Sequence, residues 1–142
     1  MKISIEQPSE SDLDVIHGFL TETYWSPGVA REVVARAAAN SICAIARDGA
    51  GALVGFARVV TDRASFAWLA DVLVLEAHRG NGLGRDLVRT LQEHPELRGL
   101  RRWLLGTRDA HGVYAALGFT PLGAPERYME IHNPAPNGQA VG

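Results

Sequence analysis

The sequence predicts an α/β (α+β) fold in which a mixed sheet is flanked by helices. Apolar runs and alternations typical of strands recur along the chain, and segments with helical spacing lie between them, in the order β-α-α-β-β-β-α-β-α-β. The 142 residues have the length of one domain, and 46% of them are hydrophobic, which is enough for a buried core. We therefore expect one domain over residues 1–132, followed by a polar, flexible tail over residues 133–142.

A short strand and two helices are predicted at the start of the chain. Residues 2–7 alternate weakly, as in a strand, and the polar residues 9–12 offer N-caps for a helix that runs through Thr23. A second helix is predicted to begin at Ser26 and Pro27, a serine N-cap before a proline at the first helical position, and to reach about Asn40. The apolar faces of these helices consist of Leu13, Ile16 and Leu20, then Val29, Val33 and Ala37.

Three strands are predicted in the middle of the chain. Residues 42–47 and 53–60 form two of them, joined by a hairpin turn at residues 48–51. Residues 66–75 are apolar almost throughout, which predicts a central strand.

The second half of the chain begins with a glycine-rich turn at residues 78–84. A helix follows, with Leu83, Leu87, Val88 and Leu91 on one face, and Pro95 closes it. Residues 103–107 predict another strand, and Asp109 caps a short helix that Gly118 ends. Residues 127–131 predict a final strand.

The composition excludes several classes of function. Fourteen basic side chains against sixteen acidic ones give a net charge of −2, whereas nucleic-acid-binding domains are usually basic. Cys43 is the only cysteine, which excludes an internal disulfide and a multi-cysteine zinc site. We expect no metal site, because HxxxH and HxH spacings are absent among the five histidines, which are His17, His78, His94, His111 and His132.

The single lysine and the N-terminal residues exclude further classes of cofactor site and of cellular location. Lys2 is the only lysine and lies outside any glycine-rich loop, which excludes a P-loop and a pyridoxal phosphate site. Residues 1–7 lack the long apolar core of a targeting signal, and the longest apolar stretch, residues 66–75, is too short to span a bilayer. We therefore expect a cytoplasmic protein without membrane or nucleic-acid partners.

The glycine-rich turn between a strand and a helix indicates a phosphate-binding site. Glycines let the backbone approach a ligand closely, and the free N–H groups at a helix start favour an anion. The dinucleotide fingerprint G-x-G-x-x-G fails, because its third glycine would fall at Arg85 or Leu87. The pattern that fits is R-x-x-G-x-G, formed by Arg79, Gly82 and Gly84.

In this pattern the chain resembles the GNAT superfamily of acyl-CoA-dependent N-acetyltransferases. Tyr114 and Gly118-Phe119 are similar to the Y-x-x-x-G-F element of that superfamily, and residues 54–58 resemble its V-G-x-x-x strand. Residues 107–112 are similar to a bacterial subgroup of uncharacterised members, so this similarity does not identify the acceptor. The resemblance covers residues 2–131 and implies the GNAT fold: a mixed, mostly antiparallel sheet of about six to seven strands flanked by about four helices.

The resemblance also implies a site for acetyl-CoA as co-substrate. The strand before the turn would offer backbone groups to the pantetheine arm at Leu73, Val74 and Leu75, and the Val74 N–H would stabilise the oxyanion. The residues that would bind the pyrophosphate are those of the turn, Arg79, Gly80, Asn81, Gly82, Leu83, Gly84 and Arg85.

Tyr114 and Asp71 are the candidate catalytic residues. In the resembled family the tyrosine at this place commonly protonates the departing CoA thiolate; the alternative is a core tyrosine whose hydroxyl donates to a backbone carbonyl. Asp71 is the one acid in an apolar strand, where a carboxylate is costly unless it is paired, solvated or functional. It is either the general base or the partner of an arginine such as Arg58.

Other aromatic and histidine side chains are weaker candidates. Tyr24 and Trp25 would border the acceptor cleft in the resembled fold and stack on a substrate, or else pack under a loop. His111 lies three residues before Tyr114 and could relay a proton, although histidines at such places more often cap or pack a helix. Trp68 and Trp103 lie in predicted strands and are expected in the core.

The predicted function is transfer of the acetyl group of acetyl-CoA to the amine of a small molecule, by direct attack with Tyr114 as general acid. Two alternatives stay open: a CoA-binding sensor or weakly catalytic homologue, and an acetyltransferase of protein or peptide amines. An exposed strand edge could also support a homodimer.

Overall fold

The chain folds around one mixed sheet of five strands within residues 1–138, the residues that the computed structural model describes. Neighbouring strands pair antiparallel from β1 to β4, and β5 pairs with β4 in parallel. In sheet order the strands are β1 (Lys2–Ile5), β2 (Ile42–Arg47), β3 (Leu53–Thr61), β4 (Phe66–Val74) and β5 (Arg102–Leu104). This sheet confirms the predicted fold class, with fewer strands than the six to seven expected.

Four α-helices flank the sheet in the described part of the chain, and none of them is long and apolar enough to cross a membrane. They are α1 (Glu10–Leu20), α2 (Arg31–Ala39), α3 (Leu83–Gln92) and α4 (His111–Ala115). Helices α1 and α2 cover one face of the sheet, and α3 covers the other. On the α3 side the predicted apolar face is confirmed, since Leu83, Leu87, Val88 and Leu91 are all buried.

Helix α1 begins with a capping box at Ser9, one of the N-caps that residues 9–12 offered. The Ser9 hydroxyl accepts a hydrogen bond from the Asp12 N–H at 3.2 Å, and the Asp12 carboxylate accepts one from the Ser9 N–H at 2.9 Å. Arg47 on β2 donates to both oxygens of Asp12, at 2.8 and 2.7 Å, and these bonds lower the pKa of Asp12 to about 2. The same ion pair therefore joins the start of α1 to the sheet.

A bulge halfway along β4 changes the face of the sheet to which its side chains point. Leu69 packs in the layer under α3, whereas Leu73, four residues later, packs in the layer under α1 and α2. In a regular strand these two residues would face the same side. The register with β3 shifts at this point, and Asp71 adopts the left-handed conformation with φ 53°. The extra residue of the bulge thus redirects the side chains where the site lies.

The second helix starts later than predicted. Its N-cap is Ala30, because Gly28 adopts φ 69°, which a right-handed helix does not include, and its N–H donates to the Thr21 carbonyl. Ser26 and Pro27 therefore belong to a turn before the helix. The face that α2 buries consists of Val34 and Ala38, one position after the predicted Val33 and Ala37.

The end of the described chain contains less regular structure than predicted. The strand predicted at residues 127–131 is absent: Pro125–Arg127 forms a 3₁₀ turn, and the residues after it pair with no described strand. A strand needs a neighbour to bond its backbone groups, and this segment does not reach one. Strand β5 is also shorter than predicted, and α4 is capped at Ala110 rather than Asp109. Of the predicted tail, residues 139–142 lie outside the described residues.

Candidate active site

The site lies where β4 and β5 separate. Their parallel pairing ends at Trp68 and Leu104, whereas β4 continues to Val74. The Leu75 N–H donates to Val54 on β3 at 2.9 Å, so the preceding residue, Val74, turns its backbone groups toward the open edge. At that edge the Val74 carbonyl accepts a hydrogen bond from Arg79 Nε at 3.0 Å. The Val74 N–H is therefore available where the oxyanion donor was predicted.

The glycine turn at the end of β4 has the geometry of an anion site. Gly80 and Gly82 adopt φ 88° and 75°, a left-handed conformation that favours glycine. Gly82 is the N-cap of α3, so the free N–H groups of the first helical turn face this loop. A Cβ atom added at Gly82 would collide with the Arg85 guanidinium. The turn thus brings two arginines, Arg79 and Arg85, to a helix N-terminus.

A groove of about 340 Å³ runs between this turn and α4. Val113 and Ala116 of α4 form one side of it. The predicted cofactor-binding residues that line it are Val74, Arg79, Gly80, Gly82, Leu83, Gly84 and Arg85. Leu73, Leu75 and Asn81 do not line it, and the Leu73 side chain is buried in the core. The donors and positive charges on this groove fit a pyrophosphate.

A second cavity, of about 500 Å³, opens through the gap between β4 and β5. Tyr24 and Trp25 line it from the loop between α1 and α2, and Tyr114 lines it from α4. Asp71, at the bulge of β4, forms part of its wall. The structure therefore brings together all four residues that the sequence suggested for catalysis and acceptor binding.

Asp71 binds two neighbours within this cavity. Its Oδ1 accepts a hydrogen bond from Trp25 Nε1 at 2.9 Å, and its Oδ2 accepts one from Arg58 Nε at 2.6 Å. Arg58 also donates to the Ser41 hydroxyl at 3.1 Å. The Asp71 side chain is 11% exposed, so most of the carboxylate is enclosed by these partners. Arg58 is thus the arginine partner that the sequence suggested for Asp71. The same carboxylate also faces the cavity.

Tyr114 is half-buried, and its hydroxyl forms no hydrogen bond with any residue in the described range. The alternative interpretation, a core tyrosine whose hydroxyl donates to a backbone carbonyl, therefore finds no such carbonyl among these residues. Burial raises the pKa of Tyr114 above its ordinary value, and the nearby Tyr24 raises it further. Phe119 packs edge-on against its ring at a centroid distance of 6.0 Å. The phenol is held in place and stays protonated, as a proton donor must be.

Tyr24 joins the two sides of the gap. Its hydroxyl accepts a hydrogen bond from the Arg108 N–H at 3.1 Å, and the Arg108 guanidinium lies 3.9 Å from the centre of its ring. Trp25 packs edge-on against the same ring at 5.0 Å. The loop after β5 is in this way connected to the loop after α1 across the mouth of the cavity.

Trp68 is a cavity residue that the sequence interpretation placed in the core. It is 39% exposed, whereas its neighbours in β4, Ala67 and Leu69, are buried. Every residue around Trp68 is apolar, so the sequence shows no alternation that distinguishes the two faces. Arg108 was missed as well, because the resemblance of residues 107–112 to a bacterial subgroup assigns no role to it. Trp103 is half-buried and packs edge-on against Phe119, close to expectation.

His111 does not take part in the cavity beside Asp71. It lines a different groove, on the outer side of β5. Among residues 1–138 there is also no group of three or more histidine, cysteine, aspartate or glutamate side chains arranged to hold a metal ion.

Comparison with known proteins finds one family. The model of the acetyltransferase (GNAT) family matches residues 6–119. A protein of Gibberella zeae named as an acetyltransferase is 42% identical over 59 residues, which are 39% of this chain and 32% of the fungal protein. This chain thus spans about a third of that curated relative.

Solved structures show the same similarity over nearly the whole chain. A protein of Xanthomonas campestris pv. campestris assigned to the GNAT acetyltransferases is 40% identical, with a TM-score of 0.87 over 94% of this chain and 95% of that one. A GNAT-family acetyltransferase of Streptococcus pneumoniae TIGR4 is 24% identical, with a TM-score of 0.71 over 93% and 96% of the two chains, and shows the fold alone.

Proposed function

The chain belongs to the acetyltransferase (GNAT) family, whose members use acetyl-CoA, and on that premise we propose that it transfers the acetyl group of acetyl-CoA to the amine of a small molecule. The observation that carries this proposal is the meeting of the groove and the cavity at α4. Val113 lines the groove along the glycine turn, and the next residue, Tyr114, lines the cavity through the gap. A ligand anchored at the turn can therefore reach the cavity along the open edge of β4.

The turn and the edge of β4 have the groups that coenzyme A requires. Arg79, Arg85 and the N-terminus of α3 bind the pyrophosphate. The Val74 N–H, turned toward the open edge, donates to the carbonyl oxygen of the thioester as negative charge develops on it. Binding of the distant pyrophosphate holds the acetyl carbon in position for attack.

Asp71 and Tyr114 provide the proton transfers. The amine nitrogen forms a bond to the acetyl carbon, and the bond from that carbon to sulfur breaks. Asp71 takes the surplus proton of the amine, directly or through a water molecule, and Tyr114 gives its hydroxyl proton to the sulfur. The products are an acetamide and the free thiol of coenzyme A. Asp71 then releases its proton to solvent, and Tyr114 regains one from solvent. An acceptor that binds as an ammonium loses one further proton to solvent before its nitrogen attacks.

The size and walls of the cavity support a small, cationic acceptor. About 500 Å³ lies within the usual range of small-molecule sites. Tyr24, Trp25 and Trp68 present aromatic rings to it, on which an ammonium group can stack, and Asp71 presents a carboxylate. A protein or peptide acceptor would instead require a long open groove across this face.

The test is release of thiol from acetyl-CoA in the presence of small amines, amino acids and peptides. We expect release that depends on the amine, with small amines turned over faster than peptides. Tight binding of coenzyme A without release for any amine would contradict an enzyme and support a sensor. Preferential turnover of peptides would contradict the small-molecule acceptor.

A further inference from the structure

Arg58 and Arg108 both line the cavity between β4 and β5, but their guanidinium groups are held differently. Arg58 donates to the Asp71 carboxylate at 2.6 Å and to the Ser41 hydroxyl at 3.1 Å. The Arg108 side chain forms no hydrogen bond with any residue in the range 1–138. Its N–H groups are therefore available to a ligand in the cavity.

The Arg108 guanidinium is held in place by an aromatic ring. It lies 3.9 Å from the centre of the Tyr24 ring, and the Arg108 backbone N–H donates to the Tyr24 hydroxyl at 3.1 Å. Contact with a ring face fixes the position of a guanidinium without giving its N–H groups an oxygen acceptor. Arg108 is therefore positioned to bind a planar anion, such as a carboxylate, through two parallel hydrogen bonds.

The neighbouring Asp109 is a weak partner for this guanidinium. Its carboxylate lies 3.8 Å from Arg108 Nη2, which is longer than a hydrogen bond, and the two side chains are 65% and 68% exposed. An exposed ion pair of this kind contributes little, because water screens both charges. A ligand carboxylate that makes two direct hydrogen bonds can therefore displace Asp109 from Arg108.

Tyr24 and Trp25 form a wall of the cavity between two charged groups. Trp25 Nε1 donates to the Asp71 carboxylate at 2.9 Å, and the Arg108 guanidinium lies on the Tyr24 ring. The two rings contact each other edge-on, with their centres 5.0 Å apart, so the wall is continuous from Asp71 to Arg108. A ligand that lies along this wall meets a carboxylate at one end and a guanidinium at the other.

We propose that the acceptor is a small amino acid, a molecule whose amine is acetylated beside Asp71 and whose carboxylate binds the Arg108 guanidinium. This inference rests on the proposed function and specifies the class of its acceptor. The bonds that form and break, and the protons that move, are those of the transfer above, and the product is an N-acetyl amino acid. An amine without an acid group would occupy only the Asp71 end of the wall.

Arg108 belongs to the acceptor side of the site. It does not line the groove along the glycine turn, where Arg79 and Arg85 lie. Its proposed contact is with the carboxylate of the acceptor and not with the nitrogen that reacts. Arg108 therefore selects the acceptor by binding it, and leaves the rate of the chemical step unchanged.

The test compares amino acids with their own primary amides as acceptors, in the wild type and in Arg108→Gln. The acceptors carry the amine at the α-position or at the end of linear chains of increasing length, and thiol release from acetyl-CoA is measured. We expect the preference for the best amino acid over its amide, as the ratio of the two kcat/KM values, to fall by roughly 10-fold in Arg108→Gln. The fall lies in the KM of the amino acid, while kcat stays close to that of the wild type. Using the same two acceptors with both proteins cancels the difference in basicity between their amines.

Arg101→Gln is the matched control for the loss of one arginine. Arg101 is exposed and does not line this cavity, so the variant keeps the wild-type preference. Arg108→Gln itself folds, because its side chain is exposed and the hydrogen bond to Tyr24 comes from the backbone. Circular dichroism verifies the fold, and we expect calorimetry to show an unchanged affinity for coenzyme A.

The outcomes separate this inference from the proposed function. An unchanged preference in a folded Arg108→Gln protein overturns the inference, and so does weaker binding of coenzyme A, which would assign Arg108 to the cofactor site. Faster turnover of an aminosulfonate or aminophosphonate than of the matching amino acid overturns the carboxylate. If Asp109→Asn lowers turnover of the amides while Arg108→Gln changes nothing, the loop selects a purely cationic acceptor, which also overturns it. The absence of thiol release with every amine contradicts the proposed function itself.

Discussion

Asp71 combines two functions at a single residue. It occupies the left-handed position of the β4 bulge, which aspartate and asparagine tolerate better than most residues, and it holds Trp25 and Arg58 at the cavity. The conformation explains why the bulge needs no glycine here. The hydrogen bonds to Trp25 and Arg58 give the Asp71 side chain a second role, besides allowing the left-handed backbone conformation.

Replacing Asp71 with asparagine tests the proposed base. Asparagine keeps the shape and tolerates the same φ, so the fold persists, but it cannot take the proton of the amine. We expect turnover to fall by roughly 10²-fold at every pH between about 6 and 9, with a small change in melting temperature. Arg58→Met is the matched variant, because it breaks the same ion pair and leaves the carboxylate. Full turnover of the Asp71→Asn protein would contradict the base, and loss of folding in both variants would mean that the pair is structural.

Replacing Tyr114 with phenylalanine removes one hydroxyl and leaves the packing on Phe119. We expect kcat to fall by roughly 10²-fold with unchanged affinity for coenzyme A, as for loss of a general acid. Tyr24→Phe is the control. It also removes a hydroxyl from the cavity, but that hydroxyl only accepts a hydrogen bond from the Arg108 N–H. A Tyr114→Phe turnover within about twofold of wild type, with chemistry limiting, would contradict the assignment.

The raised pKa of Tyr114 predicts how its activity depends on pH. A general acid must be protonated, and burial shifts its loss of the proton to higher pH than the ordinary value of about 10. The alkaline decline of kcat that belongs to Tyr114 therefore lies above pH ~10. A decline near pH 8 or 9 that disappears in Tyr114→Phe would contradict this prediction.

At the scale of elements, the proposed function requires the turn between β4 and α3 to bind the pyrophosphate through its backbone N–H groups. Valine at Gly82 is strained at φ 75° and obstructs the approach of a phosphate to the N–H groups of α3. We expect Gly82→Val to weaken coenzyme A binding measured by calorimetry. Gly51→Val is the control, because Gly51 has φ 85° in a hairpin turn away from the site. Both variants lose roughly 1–3 kcal/mol of stability, and only the first loses affinity. Unchanged affinity in a folded Gly82→Val protein would contradict the site.

The ion pair between Asp12 of α1 and Arg47 of β2 predicts that the protein loses stability at low pH. The pKa of Asp12 is lowered in the folded state from its ordinary value of 3.8 to about 2, mainly by its hydrogen bonds from Arg47. The stabilisation is therefore present above the unfolded pKa and is lost as the pH falls from about 4 to about 2. We expect Asp12→Asn to lower the free energy of unfolding by about 2 kcal/mol at pH 7, from the shift converted at 1.36 kcal/mol per unit.

Urea unfolding at pH 7 and near pH 2 measures this difference. The gap between wild type and Asp12→Asn narrows at the lower pH, because protonated aspartate no longer forms the ion pair. A gap that stays equal at both values would mean that packing, not charge, holds α1.

At the scale of the whole molecule, the sheet separates two layers of buried side chains, one under α3 and the other under α1 and α2.

Local patterns predicted much of this molecule. Each of the five strands, an N-cap of α1 within residues 9–12 and the buried face of α3 follow from residues close together in the sequence. The turn at Arg79–Gly84 and the position of Tyr114 were also predicted, because both motifs are short. Local chemistry can thus predict most of the helices and strands.

Contacts between distant residues decided the rest. Asp71 meets Trp25 from 46 residues away, and Trp68 faces the cavity because β5 leaves β4 at that point. Residues 127–131 have the pattern of a strand but pair with no other strand within residues 1–138. Whether two strands stay paired or part, and which edge is left open, depends on the packing of the whole molecule rather than on any short segment. The candidate active site lies at that parting of β4 and β5. Short motifs in the sequence could therefore suggest Tyr114 and Asp71, but only the tertiary structure decided which residues meet there, because the gap between the strands depends on contacts between distant segments.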